Sequence, residues 1–194
     1  MACLLIGSSH IERLRIFLPE NNPFQLSDNP DVQFHGISGG RILRSDHVRS
    51  FEAEVERVRP CRIIMQIGGN DLDSKDVKGD SRIPDLDHIV LVVSKIAALA
   101  RLFITRYHVN NVIVCQFLFR ETTRHVEVDT YNTMVLEANR LLKEMLKSDT
   151  QVHYWNLKGL KKGENIFVDG VHLSPISQAK YYRNIRGAII HSFV

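Results

Sequence analysis

Only three cysteines occur in the 194 residues, Cys3, Cys61 and Cys115. An odd number without ligand spacing excludes a disulfide framework and a cysteine zinc site. Each lies in or beside an apolar run, so they read as small hydrophobes of a reducing compartment, and the expected location is intracellular, in the cytoplasm. The histidines also lack metal spacing, and no cofactor or metal is expected. Long hydrophobic runs are missing. The best candidate, 89–104, is interrupted by Lys95 and Arg101, whereas a spanning helix needs roughly 20 mostly apolar residues; a core helix is expected, with no integral membrane segment. Charge of one sign is scarce too: 25 basic against 22 acidic side chains leave +3, too little to argue for nucleic acid binding. Internal repeats and low-complexity segments are absent. The apolar start Met1–Ile6 is short, has no basic leader and runs into Gly7-Ser8-Ser9, so no signal peptide is read.

What is present fits one domain spanning 1–194, with 44% hydrophobic and 24% charged residues, the balance of a globular protein. Because the first strand starts almost at residue 1, the domain is expected to be cut from a longer polypeptide. Five β-type runs, 3–7, 32–37, 62–67, 112–117 and 152–156, alternate with helical segments. That alternation predicts an α/β fold with a parallel sheet covered on both faces. Ile63-Ile64-Met65 and Val112-Ile113-Val114 are continuous apolar stretches, as strands buried on both sides require. Tyr131, Met134, Val135, Ala138, Leu142 and Met145 mark one helix face, and Ile89, Val92, Val93, Ile96, Ala100, Phe103 and Ile104 mark another. Ser174-Pro175 reads as a capping residue followed by proline at the first helical position. The polar stretches 71–84 and 118–129 read as loops.

Ligands of a doubly wound sheet bind beyond the carboxyl ends of its strands. The first strand runs into Ser8-Ser9, the second into Ser38-Gly39-Gly40 and the third into Gly68-Gly69-Asn70-Asp71, while Asp169 and His172 follow the fifth. A hydroxyl, a glycine turn, an amide and an acid–imidazole pair therefore converge on one rim. An imidazole deprotonates serine efficiently when a carboxylate fixes its tautomer and stabilises the imidazolium, and a spacing of three residues lets Asp169 and His172 meet within one turn of chain.

These blocks resemble the SGNH hydrolase (GDSL-type esterase/lipase) family. The resemblance implies a three-layer flavodoxin-like fold with strand order 2-1-3-4-5 and a serine esterase. Ser9 matches the nucleophile, His172 the base and Asp169 the acid; the N–H groups of Ser9 and Gly39 and the side chain of Asn70 match the oxyanion hole. Gly36 and Gly40 lie close to Gly39, which is preferred because it follows Ile37-Ser38. Where the family usually has aspartate this chain has Ser8, which puts the rigidity of the oxyanion loop in question. The runs Ile6–His10, Ile67–Leu72 and Asp169–Ser174 further resemble esterase domains encoded in the first open reading frame of LINE-type (non-LTR) retrotransposons. That likeness implies RNA-binding or self-associating regions only outside this chain. The acetylhydrolases acting on platelet-activating factor are a more distant likeness in fold and size.

The expected substrate is a small ester with a short, acetyl-type acyl group, phospholipid-like esters included, because no long apolar lid separates the blocks. Each residue also has a plainer role. Ser9 could cap a helix starting near Ile11, Ser8 is a rival nucleophile, Asn70-Asp71 could be turn chemistry, and Asp71 is expected to tie down its own loop. His10 reads as a first-turn residue; the histidines at 35, 47, 88, 108, 125, 153 and 191 read as surface or packing residues. Arg41, Arg120, Arg124 and His125 read as solvated loop residues that could instead meet an anionic leaving group. A competing reading is a catalytically silent SGNH-like module for lipid or nucleic acid, with Lys158–Lys162 and the Lys180–Arg186 face as its footprint.

Overall fold

The computed structural model describes residues 2–19, 23–26, 31–77, 82–160 and 166–192. Five strands, β1 (Ala2–Gly7), β2 (Asp31–Gly36), β3 (Arg62–Gln66), β4 (Asn111–Cys115) and β5 (Val152–Trp155), form one sheet of order 2-1-3-4-5. Every pairing is parallel, with Leu4 opposite both Gln33 and Ile63, and Val112 opposite both Ile63 and Val152. The helices are α1 (Ser9–Phe17), α2 (Ser45–Val58), the short α3 (Gly69–Leu72), α4 (Leu86–Tyr107), α5 (Val128–Leu146) and α6 (Pro175–His191).

Alternation along the strands divides the core in two. Leu4, Ile6, Ile63, Met65, Val112 and Val114 face Phe51 and Val55 of α2 and the apolar stripes of α4 and α5. Cys3, Leu5, Ile64, Ile113 and Cys115 face Ile11 and Leu14 of α1 and Tyr181, Ile185, Ala188 and Ile189 of α6. Successive strand residues thus point to opposite covered faces, giving the three layers expected. Helix α4 has the length and apolarity of a membrane span, but Ile89, Val92, Val93, Ile96, Ala97, Ala100 and Phe103 are buried in the first cluster. Burial pushes the thiol of Cys3 up to about 12 and raises that of Cys115 as well, as expected of cysteines that act as core hydrophobes; Cys61 is half-buried, its thiol donating to Ala2 O.

The chain winds from β1 outward to β2, then crosses to β3 on the other side of β1. The connections leaving β1 and β3 therefore diverge and open a crevice at the carboxyl edge. Strand ends differ slightly from the sequence reading. The fourth strand was expected to reach Phe117 but stops at Cys115: Phe117 N–H donates to Asn139 Oδ1, and Phe117 O accepts from Asn139 Nδ2, so a side chain of α5 diverts that backbone from the ladder.

Candidate active site

Ser9 and the distant pair Asp169 and His172 form a hydrogen-bonded line at the crevice. Ser9 Oγ lies 3.2 Å from His172 Nε2, and His172 Nδ1 lies 2.6 Å from Asp169 Oδ2. The other Asp169 oxygen, Oδ1, accepts from the backbone N–H of Val171 at 3.1 Å and of His172 at 2.7 Å. Desolvation raises the Asp169 carboxyl, but its bonds to the His172 ring and to those two N–H groups outweigh it and hold the group well below the usual carboxylate range. An ionised carboxylate only accepts, so Nδ1 carries the hydrogen and Nε2 is left to accept from Ser9 Oγ–H.

Local chain geometry explains why Asp169 and His172 meet. Phe167 and Leu173 form an antiparallel bridge, and Val168 N–H donates to His172 O at 2.8 Å. The intervening turn needs Gly170, whose φ is +79° and whose missing Cβ would stand 2.5 Å from Thr122 side-chain atoms. Gly170 O accepts from Glu121 and Thr122 N–H, and Thr122 Oγ1 donates to Asp169 O, which latches this turn to the loop after β4. Ser174 caps α6 through its hydroxyl, with Pro175 next, as the sequence indicates.

Ser9 is not a cap. It is the first residue of α1, Ser8 stands at the N-cap position without a side-chain capping bond, and the expected start near Ile11 is two residues late. As first residue, Ser9 has an N–H with no intrahelical acceptor. Ser8 is buried, donates its hydroxyl to Gln66 Oε1 at 3.3 Å and its N–H to Gln66 O at 3.0 Å, and does not line the cavity that Ser9 faces. The loop after β2 is held by Ile37 N–H to Gly7 O and Gly40 N–H to Ile37 O. Ser8 makes no bond to that loop among the described residues.

Among the three neighbouring glycines, Gly36 packs against Glu12, and Gly40 has its N–H engaged. Gly39 adopts φ +68° with open space where a Cβ would stand, and among the described residues nothing accepts its N–H. The left-handed backbone, rather than crowding, is what asks for glycine there. Asn70, the second residue of α3, donates from Nδ2 to Gly40 O at 3.1 Å. Asp71 is fully buried, and its carboxylate accepts from Ile42 and Leu43 N–H at 2.9 and 3.0 Å. It ties down the loop after β2 rather than its own, which corrects the expectation; burial raises its carboxyl, opposed by those two bonds.

The cavity, about 440 Å³, is bounded by Ser9, Gly39, Asn70, Asp169 and His172 and by Arg41, Arg120, Arg124 and His125. Among the described residues, Val171 is the one large apolar residue in its wall. Arg120 was read as a solvated loop residue; it is buried, forming an ion pair with Asp73 at 2.8 Å and donating to Asn70 Oδ1 at 2.7 Å. Arg41 pairs with Asp76. His10, read as a first-turn residue, does lie in the first turn of α1 but is buried, its ring centroid 6.0 Å from that of His172. Desolvation first, then the nearby Arg120 charge, pushes its imidazole down to about 3, so it stands as a neutral ring behind the cavity. Of the basic stretch 158–162, Lys161 and Lys162 lie outside the described residues. On the α6 face, Arg186 donates to Phe24 O and Gln25 O, which engages it with its own chain. No group of histidine, cysteine or carboxylate side chains able to hold a metal occurs among the described residues.

No protein-family model and no curated protein matches the chain. Solved structures do. A Bacteroides fragilis protein described provisionally as an acylhydrolase aligns with a TM-score of 0.77 at 15% identity, covering 100% of this chain and 88% of that one. A GDSL-like lipase from Bacteroides thetaiotaomicron gives 0.76 at 18%, covering 98% and 88%. A catalytic mutant of an acetylxylan esterase from Geobacillus stearothermophilus gives 0.65 at 17%, covering 97% and 93%. At these identities the likeness establishes a shared fold over nearly the whole chain: the three-layer, parallel 2-1-3-4-5 arrangement is the one on which these proteins are built.

Proposed function

We propose that the chain is a serine esterase of the SGNH hydrolase type that cleaves short-chain, acetyl-type acyl esters. The observation that carries this reading is the continuous line Ser9 Oγ, His172 Nε2, His172 Nδ1, Asp169 Oδ2, with separations of 3.2 and 2.6 Å, opening onto a cavity that also holds Gly39 and Asn70. Ser9 attacks the ester carbonyl as His172 takes its proton, and Asp169 stabilises the imidazolium. Charge that develops on the carbonyl oxygen meets the N–H groups of Ser9 and Gly39 and the Asn70 side chain. The negative oxygen also lies at the start of α1, where the helix dipole favours it. The imidazolium protonates the leaving alcohol, and water, deprotonated by the same ring, releases the acid from the acyl-enzyme. The GDSL-like lipase and acetylxylan esterase that share the fold support an ester as the substrate, and the polar cavity wall supports a short acyl group.

Hydrolysis of p-nitrophenyl acetate tests the reading. Wild type should turn it over, and Ser9→Ala and His172→Ala should each lose at least about 10³-fold in kcat. Equal activity of wild type and Ser9→Ala, or an inert wild type, would refute it.

A further inference from the structure

The geometry points to Arg120 as a positioning residue of the oxyanion hole, one that acts on the reaction through the carboxamide of Asn70. This rests on the esterase reading above. A carboxamide can sit in either of two flipped orientations, and only the one that turns NH₂ toward the substrate oxygen is useful. Two neighbours impose the same choice. Arg120 Nη2, which can only donate, lies 2.7 Å from Asn70 Oδ1; Gly40 O, which can only accept, lies 3.1 Å from Asn70 Nδ2. Flipping the amide would set two donors against each other on one side and two acceptors on the other. With one Nδ2 hydrogen given to Gly40 O, the second remains for the cavity that Asn70 lines together with Ser9. Charge adds to geometry: a guanidinium on Oδ1 draws electron density from the amide and strengthens its N–H as a donor, an effect enhanced where water is excluded.

The guanidinium is itself held from several sides. Nη1 donates to Asp73 Oδ2 at 2.8 Å, and the plane lies over the Tyr131 ring, 5.0 Å from its centroid. The Arg120 backbone is clamped by Asn132, with N–H to Oδ1 at 3.0 Å and Nδ2 to O at 2.9 Å. Asp73 also accepts from the N–H groups of Arg124 and His125. The absent side chain of Gly69 leaves room: a Cβ there would lie 3.5 Å from Arg120 Nη2 and 3.1 Å from Tyr131 Oη. An arginine engaged on so many sides serves as an internal brace, and its bond to Asn70 is the one that reaches the chemistry.

A double-mutant cycle between Arg120 and Asn70 tests this on p-nitrophenyl acetate. Removing Arg120 alone strands the buried Asp73 charge, so Arg120→Gln is made together with Asp73→Asn; Arg120→Lys, which keeps the charge but lacks the fork, is the second variant. With Asn70 intact, each should lower kcat about 10- to 100-fold while KM moves less than about threefold. In an Asn70→Ala background the same changes should lower kcat by less than about threefold, because the group they position is gone. Phosphonylation by a fluorophosphonate, which builds charge on an oxygen in the same hole, should slow in parallel. Equal losses in the two backgrounds, or unchanged kcat in folded variants, would overturn the inference while leaving the esterase reading intact; failure of Ser9→Ala to abolish turnover would instead strike that reading.

Discussion

At the scale of single residues, the proposed reaction asks each side chain for one capability, and the surroundings of each favour it. Asn70 must offer a neutral N–H to a developing oxyanion, and losing such a donor typically costs about 10²–10³ in turnover. Asn70→Ala is therefore expected to reduce kcat by that factor with little change in KM; steady-state kinetics showing a loss of only a few-fold would remove Asn70 from the hole. His10 makes a different demand. Its imidazole is pushed down to about 3 from an ordinary 6.5, so the unfolded chain takes up this proton first as pH falls. The stability it contributes is complete above pH 6.5 and is lost progressively between 6.5 and about 3. Urea unfolding at a series of pH values in that window should show a falling midpoint for wild type and a shallower fall for His10→Gln; parallel curves would contradict the assignment. The residues of the line itself, Ser9, Asp169 and His172, were legible in the sequence because each follows a strand end and carries distinctive chemistry. Arg120 was not. Its partners Asn70 and Asp73 stand 50 and 47 positions away, and nothing in the local run Phe119-Arg120-Glu121 distinguishes a buried brace from a solvated loop arginine.

At the scale of elements, periodicity carried most of the fold and missed what polar side chains do to its edges. The α5 stripe was read from its apolar members, which are buried as expected except for the half-buried Met145, but Asn132 and Asn139 on the same helix hold the backbone at Arg120 and Phe117. Asn139 ends β4 early, and the two asparagines together shape the loop above the cavity. The turn from Asp169 to His172 shows the same dependence on a distant contact, since Gly170 abuts Thr122. Gly170→Ala combines a positive φ with a clash against a neighbouring loop and should destabilise the fold by more than about 1 kcal/mol. It should also separate His172 from Ser9. Thermal melting and p-nitrophenyl acetate turnover would both register it; a variant as stable and as active as wild type would show that the turn can relax without moving the imidazole.

At the scale of the whole molecule, the sheet order brings the ends of β1, β2 and β3 and the turn after β5 to one crevice, and two apolar layers hold the sheet rigid beneath it. The described residues of the cavity wall are mostly polar, with Val171 the one large apolar side chain among them, so a long acyl chain would find little apolar surface to cover it. Across a p-nitrophenyl ester series, kcat/KM should fall about tenfold or more from acetate to octanoate; a rise along the series would point to an apolar acyl channel and contradict the short-chain reading. The central claim is that the hydroxyl of Ser9 is the nucleophile. Its most direct measurement is peptide mapping by mass spectrometry after treatment with a fluorophosphonate. A single phosphonyl group on Ser9, lost in Ser9→Ala and in His172→Ala, is the predicted result; an adduct on Ser8, or labelling that persists without Ser9, would contradict the account.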